Sequence, residues 1–170
     1  MRRPLAWLLA LLLLLPVAEA ASPPSATSTE AFLRQAVAAV RFGAASSQLA
    51  LKKTKNDHVL GVAHQMASDY AVASMRLRQI VADGKFATPR EPLDAAHKAL
   101  FDALNQSPPG KPFAKAYLDA QAKALPPDIE AFKLYAEKGD DERLKLFAQD
   151  MVPVMRGHLE QLDKLERFRK

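Results

Sequence analysis

The chain has 170 residues, of which 49% are hydrophobic and 25% charged, and it has no cysteine. A chain of this length can bury one sizeable core, and the missing thiols exclude disulfides, thiolate metal sites and cysteine nucleophiles. The formal net charge is +5, but the basic residues are scattered among acidic and apolar ones, so the sequence predicts no nucleic-acid interface.

The N-terminus has the pattern of a secretory signal peptide. Two arginines follow the first methionine, an apolar run covers residues 5–15, and the small residues Ala18 and Ala20 come after it. The run is shorter than the roughly 20 residues that a membrane-spanning helix needs, which favours a cleaved signal over an anchor. We expect cleavage near Ala20, which removes residues 1–20. The mature protein is then periplasmic or secreted, has no stable membrane insertion, and carries a net charge of +4 (22 basic minus 18 acidic residues).

Residues 21–28 are too polar to fold and are predicted to form a flexible leader. The first helix is predicted to start at a capping box, in which Thr27 and Glu30 satisfy free backbone donors. The positions that repeat every three to four residues define its inner face: Phe32, Ala36, Val40, Gly43, Ser47 and Leu51.

Asn56 and Asp57 supply a break and a cap for a second helix, whose apolar stripe runs over residues 59–81. We expect Gly84 to end it as a left-handed C-cap. A short helix is predicted from about residue 94 to residue 105, packed across one edge or end of the bundle.

The next long helix is predicted to begin near Pro112, which suits a first turn. Pro126 and Pro127 remove two backbone donors, and a kink or a short break is expected there. Gly139 and Asp140 are predicted to close this helix and cap the last one, which Pro153 is expected to bend.

Alternation with a period of two residues is absent, which excludes a sheet as the organising element. The sequence predicts an all-α fold, with four long antiparallel helices and one short extra helix between the second and the third long one. Residues 29–168 are expected to form a single helical-bundle domain.

Several motifs resemble those of a bacterial family of secreted ferritin-like domains of unknown function, whose members are often labelled outer membrane proteins. The resemblance covers about residues 30–166 and implies a ferritin-like bundle. Its motifs are Asp69-Tyr70, Tyr117-Leu118-Asp119-Ala120, and Leu144-x-x-Phe147-Ala148 followed by Val152-Pro153-Val154-Met155-Arg156-Gly157-His158-Leu159.

The resemblance also implies where a metal site would lie. In that family the first helix carries a Glu, the second an Asp-His pair, the fourth a Met-x-x-x-His and the last a Pro-x-x-Arg-x-His. The matching positions here, in the same order, are Gly43, Tyr70, Gln121 with Leu125, and His158. A transition metal generally needs three or four donors. Gly43, Tyr70 and Leu125 are therefore vacated ligand positions, this chain is a degenerate member, and no metal cofactor is predicted.

His158 lies on the apolar stripe of the last helix. We interpret it as a core histidine, bonded to Tyr70, Gln121 or a water, so that Tyr70, Gln121 and His158 form a candidate buried polar cluster. The alternative is that His158 is a surviving metal ligand or takes part in proton transfer.

Other polar candidates carry weaker signals. Asp94 and His97 stand one helical turn apart, a spacing used in pairs by di-iron bundles, but it occurs once here, so a surface or packing histidine is expected. Asp128 lies beyond the proline pair and is expected to be exposed. His58 and His64 are expected at solvated positions. The methionines suit core packing better than copper(I) binding.

No nucleophile with its base, phosphate-binding loop or paired catalytic carboxylates can be assembled, so neither catalytic residues nor cofactors are predicted. The sequence favours a non-enzymatic periplasmic helical bundle with a binding or structural role and an unknown envelope partner. The alternative is a ferritin-like protein that binds iron, manganese or copper with a reduced ligand set, in which His158 is the metal ligand.

Overall fold

The computed structural model describes residues 25, 27–89 and 93–168, with side chains up to residue 165. The predicted signal peptide and most of the predicted leader lie outside these residues. The described part is helical and contains no strand, which confirms the all-α prediction. Its five helices are α1 (Thr29–Lys53), α2 (Asp57–Gly84), α3 (Ala95–Gln106), α4 (Lys111–Lys138) and α5 (Glu142–Phe168). Within the described ranges, no helix combines the length and the apolar character needed to cross a membrane.

The caps of α1 and α5 differ from the prediction by one residue each. Ser28, not Thr27, caps α1: its Oγ accepts from the Ala31 N–H at 3.3 Å. At α5, the Asp141 carboxylate accepts from the Leu144 N–H at 3.1 Å. Asp140 accepts instead from the hydroxyl of Tyr135 at 3.0 Å, so it ties the end of α4 rather than capping α5. Adjacent residues with the same chemistry compete for each cap, and backbone direction decides between them.

The end of α2 also corrects the prediction. Gly84 is the last helical residue, and it is Lys85 that takes the left-handed conformation, with φ 52° and ψ 33°. The N–H of Phe86 then donates to the Val81 carbonyl at 3.0 Å. Glycine at position 84 leaves room for the Phe86 ring, because a Cβ there would lie 2.7 Å from Cδ2 of that ring.

The four long helices pack side by side around one apolar core. α1 lies against α2 and α4, and α5 lies against α2 and α4. The N–H of Gly110 donates to the Lys53 carbonyl at 2.7 Å, which places the start of α4 beside the end of α1. Neighbouring helices are thus antiparallel, whereas α2 and α4 point the same way. α3 lies in the connection between α2 and α4 and packs against α1 and α4.

α4 continues through the two prolines at which a kink or break is expected. Pro126 and Pro127 are both exposed, while Leu125 and Asp128 on either side are buried. Packing of these neighbours holds the turn helical although two backbone donors are missing. α5 likewise continues through Pro153.

Candidate functional site

Two of the four histidines lie inside the bundle. His158 is 2% exposed and His97 is 5% exposed, whereas His58 and His64 are at the surface. A buried imidazole requires hydrogen-bond partners, because an unsatisfied polar group in a core costs about 1–3 kcal/mol. The partners of the two buried rings therefore define the interior polar sites.

His158 on α5 pairs with Asp69 on α2. Its Nε2 lies 2.8 Å from Asp69 Oδ2 and donates to that carboxylate. Asp69 also accepts from the Gln65 amide, at 3.0 Å and 2.9 Å to its two oxygens. Nδ1 of His158 is buried and has no partner among the described residues. Sequence reasoning noted Asp69 only as part of a motif and missed it as the partner of His158, because that pairing depends on the register of α2 against α5.

Tyr70 fills the space beside His158. Its ring centroid lies 5.4 Å from that of the imidazole, so these two members of the expected polar cluster lie together. The ring also covers Gly43, where an added Cβ would lie 2.6 Å from Tyr70 Cζ. Burial raises the pKa of the Tyr70 phenol far above its ordinary value, and the charges of Asp128 and Asp69 add to the effect. Tyr70 therefore stays neutral.

Gln121, the third residue of the expected cluster, bonds to Ser46, whereas His158 bonds to Asp69. Its amide donates to Ser46 Oγ at 2.7 Å, and that hydroxyl donates to the Phe42 carbonyl at 2.5 Å. One turn before Gln121 on α4, the hydroxyl of Tyr117 forms a hydrogen bond of 2.9 Å with the hydroxyl of Ser47. The interior polar groups thus form separate small pairs between helices.

The residues at the family's ligand positions do not fit a metal ion. Gly43 and Leu125 offer no donor atom, and Leu125 is part of the apolar core. Asp69 and His158 supply two side-chain donors where three or four are needed. Among the residues that the structure describes, no group of three or more His, Cys, Asp or Glu side chains could hold a metal.

His97 on α3 is held between two carboxylates. Its Nδ1 lies 3.0 Å from both oxygens of Asp94, and its Nε2 lies 3.0 Å from Asp128 Oδ2 on α4. Asp94 also caps α3, since its Oδ1 accepts from the His97 N–H at 2.9 Å. An ionised carboxylate only accepts, so when both carboxylates are ionised both ring nitrogens carry a proton. The expectation that Asp128 is exposed is wrong: it is 4% exposed, because α4 continues past the prolines and turns it inward.

The ionisation of this group follows from burial and pairing. Burial lowers the pKa of His97, but the hydrogen bonds and charges of Asp128 and Asp94 outweigh it, so the pKa is raised. Burial raises the pKa of Asp128, and its bond to His97 only partly offsets this. Burial tends to raise the pKa of Asp94 too, but its bonds from His97 outweigh it and lower the pKa. While Asp94 and Asp128 are ionised, the contribution of the His97 charge to stability is therefore complete below the ordinary pKa of histidine and is lost as the pH rises through the raised value. At more acidic pH it decreases again, when Asp128 takes up a proton.

The fold and these interior pairs define an all-helical bundle whose buried polar groups connect its own helices. The chain belongs to the family described as Domain of unknown function (DUF4142), whose model matches residues 15–165. Neither the curated proteins nor the solved structures gave a match.

Proposed function

We propose that this protein is a non-enzymatic helical-bundle protein of the bacterial envelope, exported to the periplasm, where it acts by binding a partner at its surface. We also propose that its four long helices have the ferritin-like arrangement. The support for this arrangement is the course of the chain: α2 and α4 run in the same direction and the long connection with α3 joins them, as in ferritin-like bundles with one crossover.

One observation carries the binding role. His97, Gln121 and His158 bond to other side chains of the bundle. Neither of two surface grooves of the bundle is lined by Tyr70, His97, Gln121, Asp128 or His158. Catalysis requires acid, base or nucleophilic groups that meet a substrate in a cleft. The buried titratable groups lie in neither groove, so we assign them a role in stabilising the fold. The surface grooves are the places where a partner can bind.

Export gives the first test of this proposal. When the full chain is expressed in a Gram-negative host, we expect the product in the periplasmic fraction, with an intact mass that corresponds to residues 21–170. The reason is that signal peptidase requires small residues at the end of the signal, which Ala18 and Ala20 supply. In the control variant Ala20→Phe, a bulky ring replaces one of these small residues. This variant should resist cleavage and accumulate with residues 1–20 attached. A wild-type product that stays in the cytosol and still carries residues 1–20 would contradict the proposal.

A further inference from the structure

A groove of about 590 Å³ runs along the seam between α1 and α2. Its floor is apolar and includes Val40 and Leu77, which are buried, and Val81, which is partly exposed. The volume falls in the range of about 300–1,000 Å³ that is usual for small-molecule sites. The groove therefore has room for a small ligand with an alkyl chain.

One wall of the groove is built by the chain that follows α2. The left-handed conformation of Lys85 turns the backbone, and Phe86 folds back over Gly84. The guanidinium of Arg143 also lies over the Phe86 ring, 5.3 Å from its centroid. The wall is thus fixed by a cap, a glycine and a cation–π contact.

The rim of the groove is basic. Arg41, Arg78 and Lys85 line it, and in the part of the chain that the structure describes no acidic side chain does. Arg78 donates to the Ser74 hydroxyl at 2.7 Å. Within the described ranges, the carboxylates that form ion pairs have other partners than these three cations. The rim therefore offers positive charge to an anion that lies over an apolar floor.

We propose that this groove binds a long-chain fatty acid, with the alkyl chain along the floor and the carboxylate at Arg41 and Arg78. Apolar side chains recognise the alkyl chain by removing it from water. Guanidinium groups match a carboxylate with paired hydrogen bonds, and such charge-assisted bonds are about twice as strong as neutral ones. The inference deepens the proposed binding role and rests on it, but the proposed export is tested by a separate measurement that does not depend on this ligand.

Calorimetric titration with laurate, below its micelle concentration, tests the inference on the protein recovered from expression of the full chain. We expect Arg41→Gln with Arg78→Gln to weaken laurate binding by about tenfold or more, which corresponds to the loss of one charge-assisted bond. The matched control is Lys123→Gln with Arg156→Gln, which removes two exposed positive charges outside the groove and should change the affinity less than twofold. Dodecanol, which has the same chain without the charge, should bind the wild type and both variants equally and more weakly than laurate binds the wild type.

A second variant keeps the test independent of any folding defect in the first. Val81→Glu places a negative charge at the partly exposed edge of the floor and should weaken laurate binding by at least as much as the double arginine variant. Equal laurate affinity in the wild type, the arginine variant and Val81→Glu would overturn the proposal. So would the absence of laurate binding together with saturable binding of an acidic amphipathic peptide, which would identify a different occupant.

Discussion

Replacing His97 by leucine is expected to lower the free energy of unfolding by about 3 kcal/mol or more at neutral pH. The change removes the bond from His97 Nε2 to Asp128 Oδ2 and leaves the buried carboxylate without its cation. It also removes a hydrogen bond that joins α3 to α4. Because the pKa of Asp128 is raised by burial, the loss should shrink as the pH falls, when this carboxyl group takes up a proton. Urea unfolding curves at several pH values measure the effect.

Two variants serve as controls for this result. His64→Leu removes an exposed imidazole and should change stability by less than about 0.5 kcal/mol. His97→Leu combined with Asp128→Leu removes the unpaired charge and should recover most of the loss, since apolar residues often replace a buried ion pair without cost. A single variant as stable as the wild type at neutral pH would mean that His97 and Asp128 are not paired in the core.

Gly43→Ala is expected to destabilise the protein by about 1–3 kcal/mol, although alanine is the better helix former. The added Cβ would lie 2.6 Å from Tyr70 Cζ, and the Tyr70 ring is itself buried against His158. The ring is buried, so either the ring or the backbone of α1 must shift against packed neighbours. Thermal melts and urea unfolding of the variant measure the cost.

Two other helical glycines provide matched controls. Nothing lies within 4 Å of a Cβ built at Gly61 or Gly157, so alanine there should be neutral or should stabilise by up to about 1 kcal/mol. In a Tyr70→Ala background the ring is gone, and Gly43→Ala should lose its destabilising effect. If Gly43→Ala behaves like Gly61→Ala in the wild type, the close packing of Tyr70 over Gly43 is refuted.

The helices are predictable from the sequence because their signal is local. Apolar residues at a spacing of three to four mark each long helix, and Asn56 caps α2 as the sequence predicts. The errors of detail arise where neighbours share the same chemistry, as Thr27 and Ser28 do. Hydrogen-bonding capacity is visible in the sequence, but the choice between adjacent residues requires the backbone.

The interior polar partners are harder to predict because they depend on tertiary packing. Because a break is expected at Pro126 and Pro127, the inward position of Asp128 cannot be predicted from the helical spacing. His97 shares a helical face with Leu100 and Leu104, three and seven residues further on, and that spacing is a signal for its burial. The pairing of Asp69 with His158 has no local signal, since it is fixed only when α2 and α5 come into register.

The most direct test of a structural role for the buried histidines is the ¹H–¹⁵N spectrum of the histidine rings, recorded as a function of pH and with added zinc. We predict that His97 stays protonated on both nitrogens above pH 6.5, the ordinary pKa of histidine, and that Asp128→Asn lowers its pKa. We also predict that one equivalent of zinc leaves the His158 ring signals unchanged, because only Asp69 accompanies it as a donor. A His97 that loses its proton below pH 6.5, or a zinc ion bound once per chain that shifts His158, would contradict the structural role.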